Sequence, residues 1–394
     1  MKKYIISTIF MTSTILGSAQ PIPNTIQEIL NSIDRNNSEI KAQQQQTNAM
    51  KFENSSQNNM SDPTVNYSSF YSNSSEGGHG TELVATQGFD FPTQYIARNR
   101  RAKLQNEALD LQHYSFRREI LLNAKKICLD LVMLNKEQKL MKERGKRADE
   151  LMQLYEKRLS TGDANILEVN KVKMERMNVQ ADIARNNAAH RTALQQLLAM
   201  NNNMPLEFDG TEYPTLIEIK DADMFRDEVI GRDLDLQSAE FEIRAADKDI
   251  SVNKQGWLPK LEVGFRRNTS IVDAENGFVV GGSLPLFENR KKVSIAKAKA
   301  LSAKLKKESM QQQKEGAILS MLNEMKQLDD ALKGYDVKLM YSSLELLEKS
   351  LVLGQISLIE YFVEAEAIYS NLQSYMQLEN QYQKLMADLY KNSL

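Results

Sequence analysis

Six residues recur in the same order 192 positions apart. Leu154, Glu156, Lys157, Leu159, Gly162 and Glu168 return as Leu346, Glu348, Lys349, Leu351, Gly354 and Glu360, and Ile166-Leu167 meets Leu358-Ile359. Two further anchors keep this order. Phe91-Pro92 matches Leu284-Pro285 at an offset of 193, and Pro63 matches Pro259 at 196, which also carries the stretch 37–42 onto 233–238. Offsets that drift this little over more than 120 residues describe a tandem duplication of a unit of about 190 residues, far longer than common solenoid repeats. The chain must therefore fold as two similar halves, and any architecture assigned to one half has to serve the other.

Each half reads in the same order. A helix is expected over 24–58 and 222–254, with Asn24 as N-cap after Pro23 in the first copy. Two strands come next. In the second copy Leu261, Val263 and Phe265 alternate with Glu262, Gly264 and Arg266. After a polar loop through Asp273 to Gly277, Phe278, Val280, Gly282 and Leu284 alternate again, the period of two of a half-buried hairpin. In the first copy Val65, Tyr67, Ser69 and Tyr71 lead into a loop from Ser74 to Gly80, and Leu83, Ala85, Gln87, Phe89 and Phe91 share one face. A very long helix is expected over 99–160 and 292–351. In the second copy Ile318, Leu322, Met325, Leu328, Leu332, Tyr335 and Leu339 form one apolar stripe,. Sixty residues at helical rise span roughly 90 Å, more than a compact domain can hold. The helix reverses at Gly162 or Gly354, residues suited to a left-handed C-cap, and returns over 164–200 and 356–391.

Composition supports helices and removes other classes. Only 17 Gly and 8 Pro occur in 394 residues, few enough for long uninterrupted helices. One Cys excludes an internal disulfide; Cys128 reads as a small buried hydrophobe. With 50 basic and 52 acidic residues, no electrostatic footprint for nucleic acid exists. No apolar run beyond the first twenty residues reaches the roughly 18 needed for a spanning helix. Lys2-Lys3, the apolar stretch 4–16 and the small residues Gly17-Ser18-Ala19 have the three parts of a secretory signal peptide over 1–19; a buried N-terminal helix is the alternative. Its removal leaves 48 basic against 52 acidic residues, a charge of −4. The segments are then 1–19 signal peptide, 20–203 first repeat, 204–221 linker and 222–394 second repeat.

The strands set the harder question, because a two-stranded hairpin is marginal alone. Segments of about 9–11 alternating residues fit tilted transmembrane β-strands. Lipid requires every backbone group to be paired, so four strands per chain would have to close by oligomerisation. A soluble antiparallel sheet packed on the helices remains open on the pattern alone.

These residues resemble the TolC-like outer membrane factor family over essentially the whole mature chain. Gly281 to Arg290 resembles the family's strand-to-helix junction, with Gly88-Phe89-Asp90-Phe91-Pro92 as its degenerate first copy. Trp257 to Val263 resembles the approach to the strand, and 158–163 and 350–355 resemble its helical turns. The resemblance implies a mainly α fold with a small β part. Three chains would share a 12-stranded outer membrane β-barrel, four strands each, continued by a long periplasmic α-helical barrel. It implies an outer membrane location and a passive duct in a tripartite efflux system. The partners would be two further copies, a periplasmic adaptor (membrane fusion) protein, an inner membrane pump such as a resistance-nodulation-division transporter, and outer membrane lipid. Drug or heavy-metal efflux is favoured over protein secretion. The alternatives are a periplasmic adaptor, which would carry one hairpin with soluble β-domains, or a secreted coiled-coil scaffold.

The candidate residues cluster at the turns and junctions. Leu159, Gly162, Asp163, Leu351, Gly354 and Gln355 sit at the expected periplasmic tips, as adaptor contact or simple helix reversal. Pro92 and Pro285 mark the strand–helix junctions, and Pro63 and Pro259 precede the strands. Asp163 has no acidic counterpart at Gln355, which argues for a solvated surface carboxylate over a cation-selective ring. His79, His113 and His190 lack ligand spacing, and the 18 Met are scattered, suited to filling gaps. No nucleophile–base arrangement, phosphate loop or paired-carboxylate context is present. No enzyme, cofactor or metal is expected.

Overall fold

A computed structural model describes residues 24–71, 78–270 and 273–394. The expected signal peptide and residues 74–77 of the first loop lie outside them. The first half runs α1 (Ile26–Asn36), α2 (Ser38–Ser56), β1 (Thr64–Tyr71), β2 (His79–Phe89), α3 (Pro92–Thr161) and α4 (Ile166–Met200). The second runs α5 (Ala222–Gly231), α6 (Leu234–Gln255), β3 (Lys260–Thr269), β4 (Ala274–Ser283), α7 (Lys292–Lys333), α8 (Val337–Val352) and α9 (Leu358–Leu389), ending in a 3-10 turn at Lys391–Ser393.

Three helices expected to be continuous are interrupted, each at an Asx residue that caps the next helix. Asn37 accepts from the Ile40 amide at 2.9 Å, Asp233 from Leu236 at 3.0 Å, and Asp336 from Leu339 at 2.8 Å. A short side chain that bonds its own backbone competes with helix continuation. The break at Asp336 splits the stretch 292–351, aided by Gly334. It also shifts the stripe: Val337 and Met340 pack on the core, while Leu339 is exposed. At the N-terminus Thr25, not Asn24, is the cap, in a reciprocal box with Glu28,. The first long helix begins at Pro92, seven residues before the expected start, because proline at its first position needs no amide partner,. At 70 residues, α3 is about 105 Å long.

All four strands form one antiparallel sheet in the order β1-β2-β3-β4. The two halves join through β2 and β3, with Ala85 opposite Phe265 and Phe89 opposite Leu261. β4 starts at Ala274, so most of the residues expected in its loop are strand. The turn before it is closed by the Ser270 amide donating to the Asp273 carbonyl at 2.8 Å. Among the described residues β1 and β4 each have one unpaired edge.

Along its length α3 packs on α2, α6, α4 and α9, and α7 packs on α6 and α9. One core lies towards the helical turns, from Leu151, Tyr155, Val172, Leu351, Tyr361 and Leu372. Another lies at mid-length, where Ile29, Ile33, Leu131 and Leu197 close around Phe208 of the inter-repeat segment. Buried Asn201 joins α4 to α1 and α2 there: its Oδ1 accepts from Ser32 at 2.9 Å, and Asn37 donates to the neighbouring Met200 carbonyl at 2.8 Å. Among the described residues no helix is long and apolar enough to cross a membrane.

Candidate functional site

At the end of the molecule away from the sheet, two helical turns repeat one construction. The Gly162 amide donates to Leu159 and the Asp163 amide to Arg158, at 3.2 and 2.8 Å; Gly354 donates to Leu351 and Gln355 to Ser350, at 3.1 and 2.9 Å. These are the paired bonds of a Schellman motif, and both glycines hold the positive φ it requires, 83° and 69°,. Three residues past each glycine a capping box opens the return helix. Asn165 and Glu168 cap each other's amides before α4, as do Ser357 and Glu360 before α9,. These boxes were readable as Asn-x-x-Glu and Ser-x-x-Glu, yet sequence reasoning used only the repeated glutamate.

The named tip residues divide by exposure. Gly162, Asp163, Gly354 and Gln355 are on the surface, and Asp163 accepts from the Thr161 hydroxyl at 2.8 Å. Leu159 is partly exposed. Leu351 is 1% exposed and packs the turn from within. The apolar surface at the two turns comes instead from Ile166 and Leu167 on one side and Val352, Leu353, Ile359 and Val363 on the other.

Behind the turns, side chains tie neighbouring helices. Arg144 of α3 reaches Glu175 of α4 at 2.6 Å and Glu366 of α9 at 2.5 Å, with its guanidinium 4.6 Å from the Tyr369 ring centre. Arg147 donates to the Tyr369 hydroxyl at 3.2 Å and pairs with Glu348 of α8 at 3.4 Å. Burial works against the Arg144 charge, but the two carboxylates overcome it and raise its pKa.

At the opposite end the register separates two faces of the sheet. Directly paired antiparallel residues share a face. One face therefore carries Val65, Tyr67, Tyr71, Leu83, Ala85, Phe89, Leu261, Val263, Phe265, Phe278 and Val280, with Gln87 among them and Ser69, His79, Thr81, Arg267, Thr269 and Asn276 towards the hairpin loops. The other carries Thr64, Asn66, Ser68, Glu82, Thr86, Lys260, Glu262, Arg266, Asn268 and Glu275, with Phe70, Val84 and Val279 as its apolar members. The apolar face is uncovered: Phe278 is 92% and Val280 83% exposed. On the polar face Arg266 and Glu82 pair at 2.6 Å.

Pro259 immediately precedes β3, and Pro63 precedes β1. Pro92 is the first residue of α3, whereas Pro285 lies in an irregular turn and α7 begins only at Lys292. Both junctions are fastened to the end of α6. Gln94 donates to the Gln255 carbonyl at 2.8 Å, and buried Asn289 donates to the Gly256 carbonyl. Neither polar residue was singled out from sequence.

The histidines are separate. His79 packs its ring against Tyr71 in a tilted contact, with centroids 4.3 Å apart. His113 of α3 is buried and His190 of α4 half-buried, and burial lowers the pKa of both. Cys128 is fully buried, which pushes its thiol up to about 12. Among the described residues no group of three or more His, Cys, Asp or Glu could hold a metal.

Residues 226–392 match the outer membrane efflux protein family. No curated protein matches the sequence. Among solved structures the chain is similar to one of CusC, described with conformational changes accompanying folding and transmembrane channel formation; the TM-score is 0.76 at 15% identity, covering 94% of this chain and 92% of that one. It is similar to the Campylobacter jejuni CmeC outer membrane channel, with a TM-score of 0.71 at 14% identity over 93% and 85% of the two chains. The outer membrane protein VceC of Vibrio cholerae gives 0.68 at 15% identity over 93% and 95%. At these identities the likeness is one of fold.

Proposed function

We propose, from the match of residues 226–392 to the outer membrane efflux protein family, that three copies form a passive export duct. The observation that carries this reading is the sheet. Its mostly apolar face is bare, its other face is mostly polar, and each edge strand has one unpaired edge among the described residues. In water such a sheet is an aggregation hazard. In a bilayer the same features are requirements: the apolar face meets lipid, and the edges of β4 and of a neighbour's β1 pair so that no backbone group is left open. Three copies of four strands close a barrel of twelve.

The helices continue that barrel away from the membrane. On this reading the location is the outer membrane, with export directed by the N-terminal segment 1–19 and the helices in the periplasm. The turns at Gly162 and Gly354 form the inner end. Their exposed Ile166, Leu167, Leu353 and Ile359 offer apolar contact to a periplasmic adaptor, which connects the duct to an inner membrane pump. The units are 20–203 and 222–394 with 204–221 as linker. The duct performs no chemistry: it supplies a wall, and the pump selects a cargo of drugs or metal ions.

Extraction of outer membranes in detergent tests this. A heat-modifiable trimer in that fraction is the expected result. A soluble monomer in the periplasm would sink the duct and favour an adaptor or scaffold.

A further inference from the structure

The polar face of the sheet is also its glycine face. The strands contain six glycines, and by register Gly80, Gly88, Gly264, Gly277 and Gly281 stand on the polar side, leaving only Gly282 on the apolar one. Glu262 lies in the middle of this bare ground. Its partner in β2 is Gly88, its partner in β4 is Gly281, and the next residue on its own face of β3 is Gly264. A Cβ placed on Gly281 would stand 3.8 Å from Glu262 Oε2, so the carboxylate leans over a position that has no side chain.

The other charges near it are engaged. Lys260, two residues before it on the same face, pairs at 3.7 Å with Glu288, which Lys292 also holds at 3.2 Å; Arg266, four residues after it, pairs with Glu82 at 2.6 Å. Glu262 has neither a hydrogen bond nor an ion pair among the described residues. It also sits beside the end of the sheet that adjoins α6, where a passage through the helices would enter the sheet.

We infer that Glu262 sets the ionic preference of the duct: three copies place an unpaired carboxylate ring in the polar passage, favouring cations over anions. This rests on the trimeric duct proposed above. A ring of like charges in a low-dielectric wall concentrates counter-ions. The surrounding glycines leave the ring unobstructed by bulk, and Lys260, the basic residue beside it on the same face, pairs with Glu288 and not with Glu262. Because the charge is fixed to the wall, the preference weakens as salt shortens the screening length from about 10 Å at 0.1 M to about 3 Å at 1 M.

The test is single-channel recording of the purified full chain in planar bilayers, with the reversal potential measured across a roughly tenfold KCl gradient near 0.1 M. The wild-type channel is expected to prefer potassium. Glu262→Gln should lower the potassium-to-chloride permeability ratio about threefold, and Glu262→Lys should invert the preference. Glu262→Asp, which keeps the charge, should retain it. Conducting channels whose reversal potential is the same in wild type, Gln and Lys variants would overturn the assignment and leave the duct standing. A wild-type protein that inserts as a stable trimer yet carries no current would overturn both.

Discussion

Gly162 and Gly354 hold the same left-handed backbone, with φ of 83° and 69°, at the two turns where the helices reverse. A Cβ at either position would meet nothing within 4 Å, so space does not require glycine. The requirement is the positive φ alone, which costs a residue with a Cβ about 1–2 kcal/mol. Alanine at either turn should therefore lower stability by about 1 kcal/mol, and asparagine by less, because asparagine tolerates this conformation. Thermal unfolding of Gly162→Ala, Gly162→Asn and the matching Gly354 variants checks this. Equal stability of the alanine variants and wild type would refute it.

The capping box at Ser357 and Glu360 gives the second turn a pH dependence. The Ser357 amide donates to the Glu360 carboxylate at 2.8 Å, and the Glu360 amide bonds the serine hydroxyl at 3.2 Å. The Ser357 amide and then its hydroxyl hold the Glu360 pKa below its ordinary value. A depressed carboxylate pKa means the contribution is complete above the unfolded value and is lost as pH falls through the folded one. Hydrogen exchange at the first amides of α9 should speed up in that acid window. In Glu360→Gln the lost charge should leave those amides faster at neutral pH and remove the acid-dependent step. An acid step of unchanged size in Glu360→Gln would assign the effect to another group.

Much of this architecture is legible because the gene-level duplication prints each feature twice. The reversing glycines, the alternating strands of the second copy and the helix stripes can be read from period and spacing. The helix breaks do not stand out, since Asn37, Asp233 and Asp336 lie among many other polar residues. Yet two of them occupy matched positions at the offset of 196 set by Pro63 and Pro259, and an Asx at the same place in both copies is a cap signal. The Pro92 and Pro285 equivalence misleads in the other direction. Proline is compatible with both a first helical residue and an irregular turn, so an identical residue starts α3 directly but precedes α7 by seven positions. Contacts such as Arg144 with Glu366, or Gln94 with Gln255, leave no sequence trace, because charged and polar side chains cover most helix faces and only packing decides which ones meet.

Arg144 joins three helices behind the turns, and its two ion pairs differ. It and Glu175 are mostly buried, with side chains 11% and 13% exposed, whereas Glu366 is 62% exposed. Solvent screens the outer pair, so Glu366→Gln should change stability by less than about 1 kcal/mol. Removing the arginine leaves Glu175 without its partner and strips the Tyr369 ring of its cation. Arg144→Ala should therefore cost about 3 kcal/mol. A double-mutant cycle through Arg144→Ala and Glu175→Ala, read by denaturant unfolding, should show strong coupling. Additive effects of the two substitutions would mean that the pair contributes nothing of its own.

Phe278 and Val279 are neighbours in β4 that face opposite sides of the sheet: Phe278 pairs with Phe265 on the apolar face, and Val279 with Gly264 on the polar one. If the apolar face meets lipid, an arginine there must be driven into hydrocarbon. On a lipid-facing barrel position this costs about 2–4 kcal/mol at the membrane midplane and far less near the interfaces. An arginine at 279 would instead lie in the water-filled passage over a glycine. Phe278→Arg should reduce the heat-stable oligomer recovered from outer membranes, and Val279→Arg should leave it near the wild-type amount. Expression of the two variants and band intensities of unheated and heated samples measure the difference. Equal loss in both would show that the face with Phe278, Val280 and Phe265 is not the one in contact with lipid, and the barrel would have to be built the other way round or not at all.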